Sequence, residues 1–380
     1  MTHPKAWTRS TLSDFIELQR GFDLPHRLRK PGPFKVLSSG EAHGWHNEAK
    51  VAAPGFVVGR ATNIGRPTWS DDDFWPLNTT LFAKDFKGND PKFAYYWFLG
   101  NDLSAYNSGS VQAMLNRNYI ANVPISIPPL AEQHSIAATL GALDDKIESN
   151  RRAINVLGQL FSAEFSRTLQ SAEPISALPL AAIATITKGR SYKSAELQDS
   201  PVALVTLKSI DRNGGYKDNG LKPYIGPYKP EQVVSPGEIV VAQTDLTQGA
   251  EVVGRGVRVP ASEEYDTLVA SLDLSVLRPR DDMPNEYLLG LLSSEAFRQH
   301  CRRHVTGTTV LHLAKDAMPT WLAPVVSSEN QARFAIIART LLSRIDSYAA
   351  ENVRLTSTRD ALLPALLSGG IRVTAEGVGA

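Results

Sequence analysis

The sequence PPLAEQHSIAATLGALDDKIESN at residues 128–150, continued by LFSAEF at 160–165, decides how this chain is organised. Ile136, Leu140, Leu143, Ile147, Ile154, Leu157 and Phe161 fall on alternating three- and four-residue steps, with Asn150 in the one polar place. That period draws a single apolar seam along a long helix, and such a seam needs a partner. Residues 334–355 supply one: Phe334, Ala338, Leu341, Ile345, Tyr348 and Leu355 repeat the spacing, with Asn352 polar in its turn. Positions 136 and 334, 147 and 345, 133 and 331, and 143 and 341 all differ by 198, so the two seams share one register.

The same offset holds upstream, where it carries Gly109 onto Gly307 and Leu115 onto Leu313. Residues 12–21 resemble 180–189 at an offset of 168, so the second half holds a net insertion of about 30 residues (198 − 168). A repeat of this length outranks local propensity in reading a fold. The order is globule, helix, globule, helix, with expected boundaries 1–130, 131–172, 173–327 and 328–380.

Both globules mix short strands and helices, which predicts an α+β class. In the first, 55–59, 79–82 and 123–127 read as strands and 91–101 as a helix; in the second, 202–207, 238–242 and 272–277 read as strands and 285–300 as a helix. Pro128 and Pro129 break regular structure, and Glu132 and Gln133 favour the helix start that follows. Pro364 is expected to kink or restart the closing helix, and Gly369-Gly370 to stop it.

Composition excludes several classes. A hydrophobic share of 42% with 21% charged residues describes an ordinary soluble protein, and the single cysteine, Cys301, excludes an intramolecular disulfide and suits a reducing cytoplasm. No apolar run approaches the roughly 20 residues of a membrane span, nor is there a secretory apolar core at the start, so no membrane partner is expected. The net charge of +1 gives no wholesale attraction to nucleic acid, so any DNA surface must come from charge sorted within a domain.

Such sorting is visible. Residues 296–315 hold Arg298, Arg302, Arg303 and Lys315 with no acid, and the corresponding 103–131 is acid-free with Arg117. Ser108, Ser110, Gln112, Asn116, Arg117 and Asn118 in one half, and Thr306, Thr308, Thr309, His312 and Lys315 in the other, surround a glycine turn with side chains suited to phosphates and base edges. Arg60, Asn63 and Arg66, and in the second half Gln243, Thr244, Gln248 and Arg255, stand on loops that follow a strand; with Arg302 and Arg303 they complete the candidate DNA-binding set.

Catalytic signatures are weak. Ile127-Pro128-Pro129-Leu130 lacks the polar and aromatic members of a methyltransferase tetrapeptide, and no phosphate-cradling loop with Lys-Ser/Thr follows a strand. Asp73, Asp85 and Lys87 imitate a metal-dependent nuclease, an alternative that stays open beside a coiled-coil scaffold that does not bind DNA. His300, Cys301 and His304, with His312 nearby, lack an evident fourth zinc ligand and read as a basic helix face. Neither a metal nor a cofactor is expected.

The opening PPLAEQHSIAATLGALDDKIESN with LFSAEF, the closing LLPALLSGGIRV at 362–373, and a two-fold repeat over nearly all 380 residues together resemble the specificity subunit of type I restriction–modification systems. The resemblance implies two tandem target-recognition domains, each reading one half of a bipartite, asymmetric site on double-stranded DNA. It implies that the two helices pair as an antiparallel coiled coil with pseudo-two-fold symmetry and set the unread spacer. About 35 helical residues make a rod of roughly 50 Å, against roughly 34 Å for one DNA turn. The helices are further expected to dock two modification subunits, and through them ATP-dependent restriction subunits, around a chain that is itself non-catalytic.

Overall fold

The helix opened by Leu130 runs unbroken to Ser171, and that opened by Ser328 runs to Leu367. Both are seen in a computed structural model that describes residues 7–40, 42–61, 63–106, 114–172, 176–212, 214–246, 249–308 and 310–373. The chain divides into two compact units, residues 1–150 with 351–380 and residues 151–350. Each unit therefore takes one globule, half of the central helix and half of the closing helix.

The first unit is built on a four-stranded antiparallel sheet in the order Glu17–Arg20, Thr80–Asp85, Gly55–Gly59, Pro67–Ser70. The strand Gly55–Gly59 is buried along its whole length, as a continuous apolar run in the middle of a sheet must be. Helix Pro91–Gly100 covers that sheet; Asp90 caps it by accepting from Phe93 N (2.7 Å), with Pro91 at its first position. A second sheet orders Ala42–His46, Phe34–Leu37 and Phe74–Pro76, and Thr8–Thr11 pairs antiparallel with Pro124–Ile127.

The second unit repeats the plan. Its four-stranded sheet runs Ala184–Lys188, Leu274–Pro279, Ile239–Ala242, Gly256–Arg258, and Ser176–Pro179 pairs antiparallel with Leu322–Val325. Against Thr8–Thr11 and Pro124–Ile127 these last two strands stand at offsets of 168 and 198, the values read from the sequence. The unit also holds a small sheet of Thr244–Asp245, Leu311–Leu313 and Val305–Thr306.

Within each unit the two long helices lie antiparallel. In the first, Asp144 faces Arg359 (2.8 Å) and Asn150 faces Asn352 (3.0 Å), so rising numbers on one helix meet falling numbers on the other. Ile136 and Leu140 enter the same core as Leu363 and Leu366, while Ile147 is buried and Leu143 and Leu355 are half-buried. In the second, Phe161 and Phe165 meet Phe334 edge-on at 5.4 and 5.3 Å, with Ala338 and Leu341 joining that core. Ile154, Leu157, Ile345 and Tyr348 are half-buried.

Two local expectations differ from the structure. The helix expected over 285–300 is two, Asn285–Ser293 and Glu295–Arg303, because Ser294 leaves helical geometry and caps the second by accepting from Phe297 N (3.2 Å). Pro364 does not interrupt the closing helix: Leu363 and Leu366 are buried in the first core and hold the last turn in place. The stop comes at Gly369, whose φ of +73° is left-handed.

Candidate nucleic-acid interface

In the first unit the candidate residues gather around the end of strand Gly55–Gly59. Arg60 N donates to Thr79 O (3.0 Å) and Leu115 N donates to Arg60 O (2.8 Å), which fixes the backbone of Arg60 on both sides. The turn that follows closes with Gly59 N to Arg66 O (2.9 Å) and Arg66 N to Asn63 O (3.0 Å). Asn63 takes the left-handed φ of +46° that this turn demands and donates its Nδ2 to Ser39 O (3.0 Å). Arg66 is exposed. Asn116 caps the short helix Arg117–Ile120 by accepting from Asn118 N (3.0 Å), and Arg117 turns back to donate to Leu18 O (3.3 Å). Arg60, Asn63, Arg66, Asn116 and Asn118 are thus brought together, whereas Arg117 also serves the fold; Ser108, Ser110 and Gln112 lie outside the described residues.

The second unit uses the same frame. Gln243 follows strand Ile239–Ala242 as Arg60 follows Gly55–Gly59; its N donates to Asp273 O (2.7 Å), and Leu313 N donates to Gln243 O (2.8 Å). Its side-chain amide donates to Ser275 Oγ. Thr244 is buried and donates to Asp273 Oδ1 (2.9 Å), a structural role, while its strand neighbour His312 is exposed beside Thr306. Gly307, at φ +104°, makes the turn after Thr306: a Cβ there would stand 2.3 Å from Val310 O. Arg303, Thr306, Thr308, His312 and Lys315 form the exposed part of this face; Gln248 and Thr309 lie outside the described residues.

Three arginines sit behind that face. Arg255 Nε donates to Glu251 O (2.6 Å), Arg298 Nη2 to the same carbonyl (3.2 Å) and Arg302 Nε to Ala250 O (3.0 Å). Burial first, then the mutual repulsion of the cluster, holds the guanidinium of Arg255 and that of Arg298 below their ordinary range. Carboxylates of Glu251, Glu295 and Asp245 stand close by, so Arg255 and Arg302 work first as anchors of the 250–251 backbone. In sequence Arg298 stands out only as a member of the acid-free stretch 296–315, and Arg20, whose charge lies close to Arg60, has no motif signal at all.

The histidine and aspartate alternatives are occupied by the fold. His300 Nε2 donates to Ala317 O (2.8 Å), His304 Nδ1 donates to His300 O (2.8 Å), and burial pushes the Cys301 thiol up to about 12. Asp73 Oδ1 accepts from Ala53 N and Asp85 Oδ1 from Lys87 N, both at 2.8 Å, so Asp73 ties down the segment at Ala53 and Asp85 closes its own turn. Among the described residues no group of three or more His, Cys, Asp or Glu is arranged to hold a metal ion. Nor is any helix among them long and apolar enough to cross a membrane.

Comparison with known proteins bears on this geometry. Residues 4–159 match the family described as Type I restriction modification DNA specificity domain. The Type I restriction enzyme MjaVIII specificity subunit of Methanocaldococcus jannaschii is 20% identical over 293 residues, covering 71% of this chain and 67% of its own length. The crystal structure of the S subunit of a type I restriction–modification system from M. genitalium superposes with a TM-score of 0.58 at 18% identity, over 95% of this chain and 96% of the other. At that identity the likeness is one of fold, with its tandem domains and paired helices.

Proposed function

We propose that this chain is a non-catalytic specificity subunit of a type I restriction–modification system, a reading supported by the family match over residues 4–159 and by the specificity subunit it resembles, and that each unit reads one half of a bipartite, asymmetric site on double-stranded DNA. The observation that carries the proposal is the repeated backbone frame with different side chains on it: Arg60 stands where Gln243 stands. Identical readers would recognise a palindrome; different readers on one frame suit unlike half-sites. In this reading the exposed residues of each face meet base edges and phosphates, and partner subunits supply the backbone charge that a chain of net +1 lacks.

The same proposal gives the long helices two tasks. Their length sets the number of unread base pairs between the half-sites, and their outer faces dock two modification subunits, through which restriction subunits join. The domain limits 1–130 and 173–327 then mark the two readers, with 131–172 and 328–380 as spacer. Methylome sequencing of host cells with and without this gene tests the core of it. One split motif should lose its methylation when the gene is removed; retention of every split motif would end the proposal.

A further inference from the structure

Arg60 is a half-buried arginine for which the described residues provide no anion. Among the described residues its side chain has no hydrogen bond and no ion pair, and the nearest charge acting on it is Arg20, of the same sign. Burial and that repulsion both disfavour the cation. Its donors are left to water or to an acceptor that arrives from outside. Its backbone meanwhile is pinned through Thr79 O and Leu115 N, so the guanidinium projects from a rigid base. The equivalent position in the second unit makes the contrast: Gln243 shares the two backbone bonds but its amide is satisfied internally by Ser275. One frame thus carries a side chain bonded within the fold in one unit and, in the other, one with no partner among the described residues.

We propose that Arg60 is a specificity-determining residue that reads a guanine, through O6 and N7, in the half-site contacted by the first unit. The assignment rests on the DNA-reading function proposed above. A fixed planar fork of donors matches the paired acceptors of guanine in the major groove. A phosphate offers the same acceptor chemistry from another source, and the experiment separates the two.

The test uses the full chain assembled with its modification subunits, in wild-type form and as Arg60→Ala, Arg60→Lys and Arg60→Gln. Methylated sites are mapped by sequencing, and binding to site duplexes is measured across a salt series, with thermal melting as the folding control. With Arg60→Ala, one guanine of one half-site should become degenerate, discrimination there falling by roughly 5- to 150-fold, the range of one bidentate base contact. The other half-site should be untouched. Arg60→Gln should shift preference at that position towards adenine, and replacing that guanine by 7-deazaguanine should weaken the wild type but not Arg60→Ala. An unchanged motif with uniformly weaker binding and a salt slope reduced by about one would assign a phosphate contact instead and overturn the base-reading role. An unchanged motif with unchanged binding overturns it too. Absence of any bipartite motif for the wild type overturns the DNA-reading function itself, and this assignment with it.

Discussion

Gly21 and Gly189 stand 168 positions apart and solve the same steric problem. A Cβ on Gly21 would lie 2.2 Å from Leu77 O, and one on Gly189 would lie 2.0 Å from Ser271 O. Both contacts are to backbone, which has no rotamer by which to yield. Each glycine also donates its N–H across the sheet, Gly21 to Thr80 O (3.0 Å) and Gly189 to Leu274 O (2.9 Å). Gly21→Ala and Gly189→Ala should each destabilise their own unit by about 1–3 kcal/mol, read as lowered melting temperature. A neutral result at both positions would show that the strands separate at little cost. Gln133 and Gln331 form a second matched pair: each is buried and donates its Nε2 at 2.9 Å to the carbonyl five residues earlier, Pro128 O and Val326 O. These residues were legible as repeats before their role was known, because a backbone close approach or a buried amide admits few substitutes.

At the scale of the element, the helix pair shows where sequence legibility ends. The seam residues announced themselves by period, and they are buried or half-buried as that period requires. What period cannot announce is which polar residue meets which. Asn150, inside the pair, donates to Glu351 Oε2 (2.7 Å) and Asn352 Oδ1 (3.0 Å), while Lys146 Nζ reaches Asn150 Oδ1 (3.1 Å) and Glu351 (3.2 Å). The Asn150 amide and the Lys146 ammonium hold the Glu351 carboxyl below its usual range. A carboxyl depressed in the folded state adds stability while ionised, in full above its unfolded value and less as acid protonates it. Stability of the first unit should therefore fall as pH drops below about 4.5, and Glu351→Gln should flatten that part of the profile in denaturant titrations. An identical acid limb in the variant would remove Glu351 from the account. Such a polar cluster also favours one register over its neighbours, at some cost in stability. The candidate faces were harder to read than the seam. Thr244 and Arg302 have suitable chemistry in sequence, yet the first is buried on Asp273 and the second anchors Ala250 O. A donor looks the same in sequence whether its acceptor lies inside or outside the fold.

For the whole molecule, the duplication was readable because its two offsets survive in strand pairing, whereas the division of each long helix between two units was not. The second unit is a single run of chain, residues 151–350; the first is assembled from both ends, with Leu363 and Leu366 in the same core as Phe93, Tyr96 and Ile136. Tyr96 is tied to Asp144 (2.6 Å), which is tied in turn to Arg359 (2.8 Å). Truncation after residue 350 should therefore injure the globule at the opposite end of the sequence: limited proteolysis should open sites within 7–127 while 151–350 stays protected. Equal protection of both would refute this dependence. The order of synthesis inherits the same asymmetry. A ribosome delivers the first globule early, but its core lacks a wall until the final helix emerges, so the part of the protein made first is the part completed last.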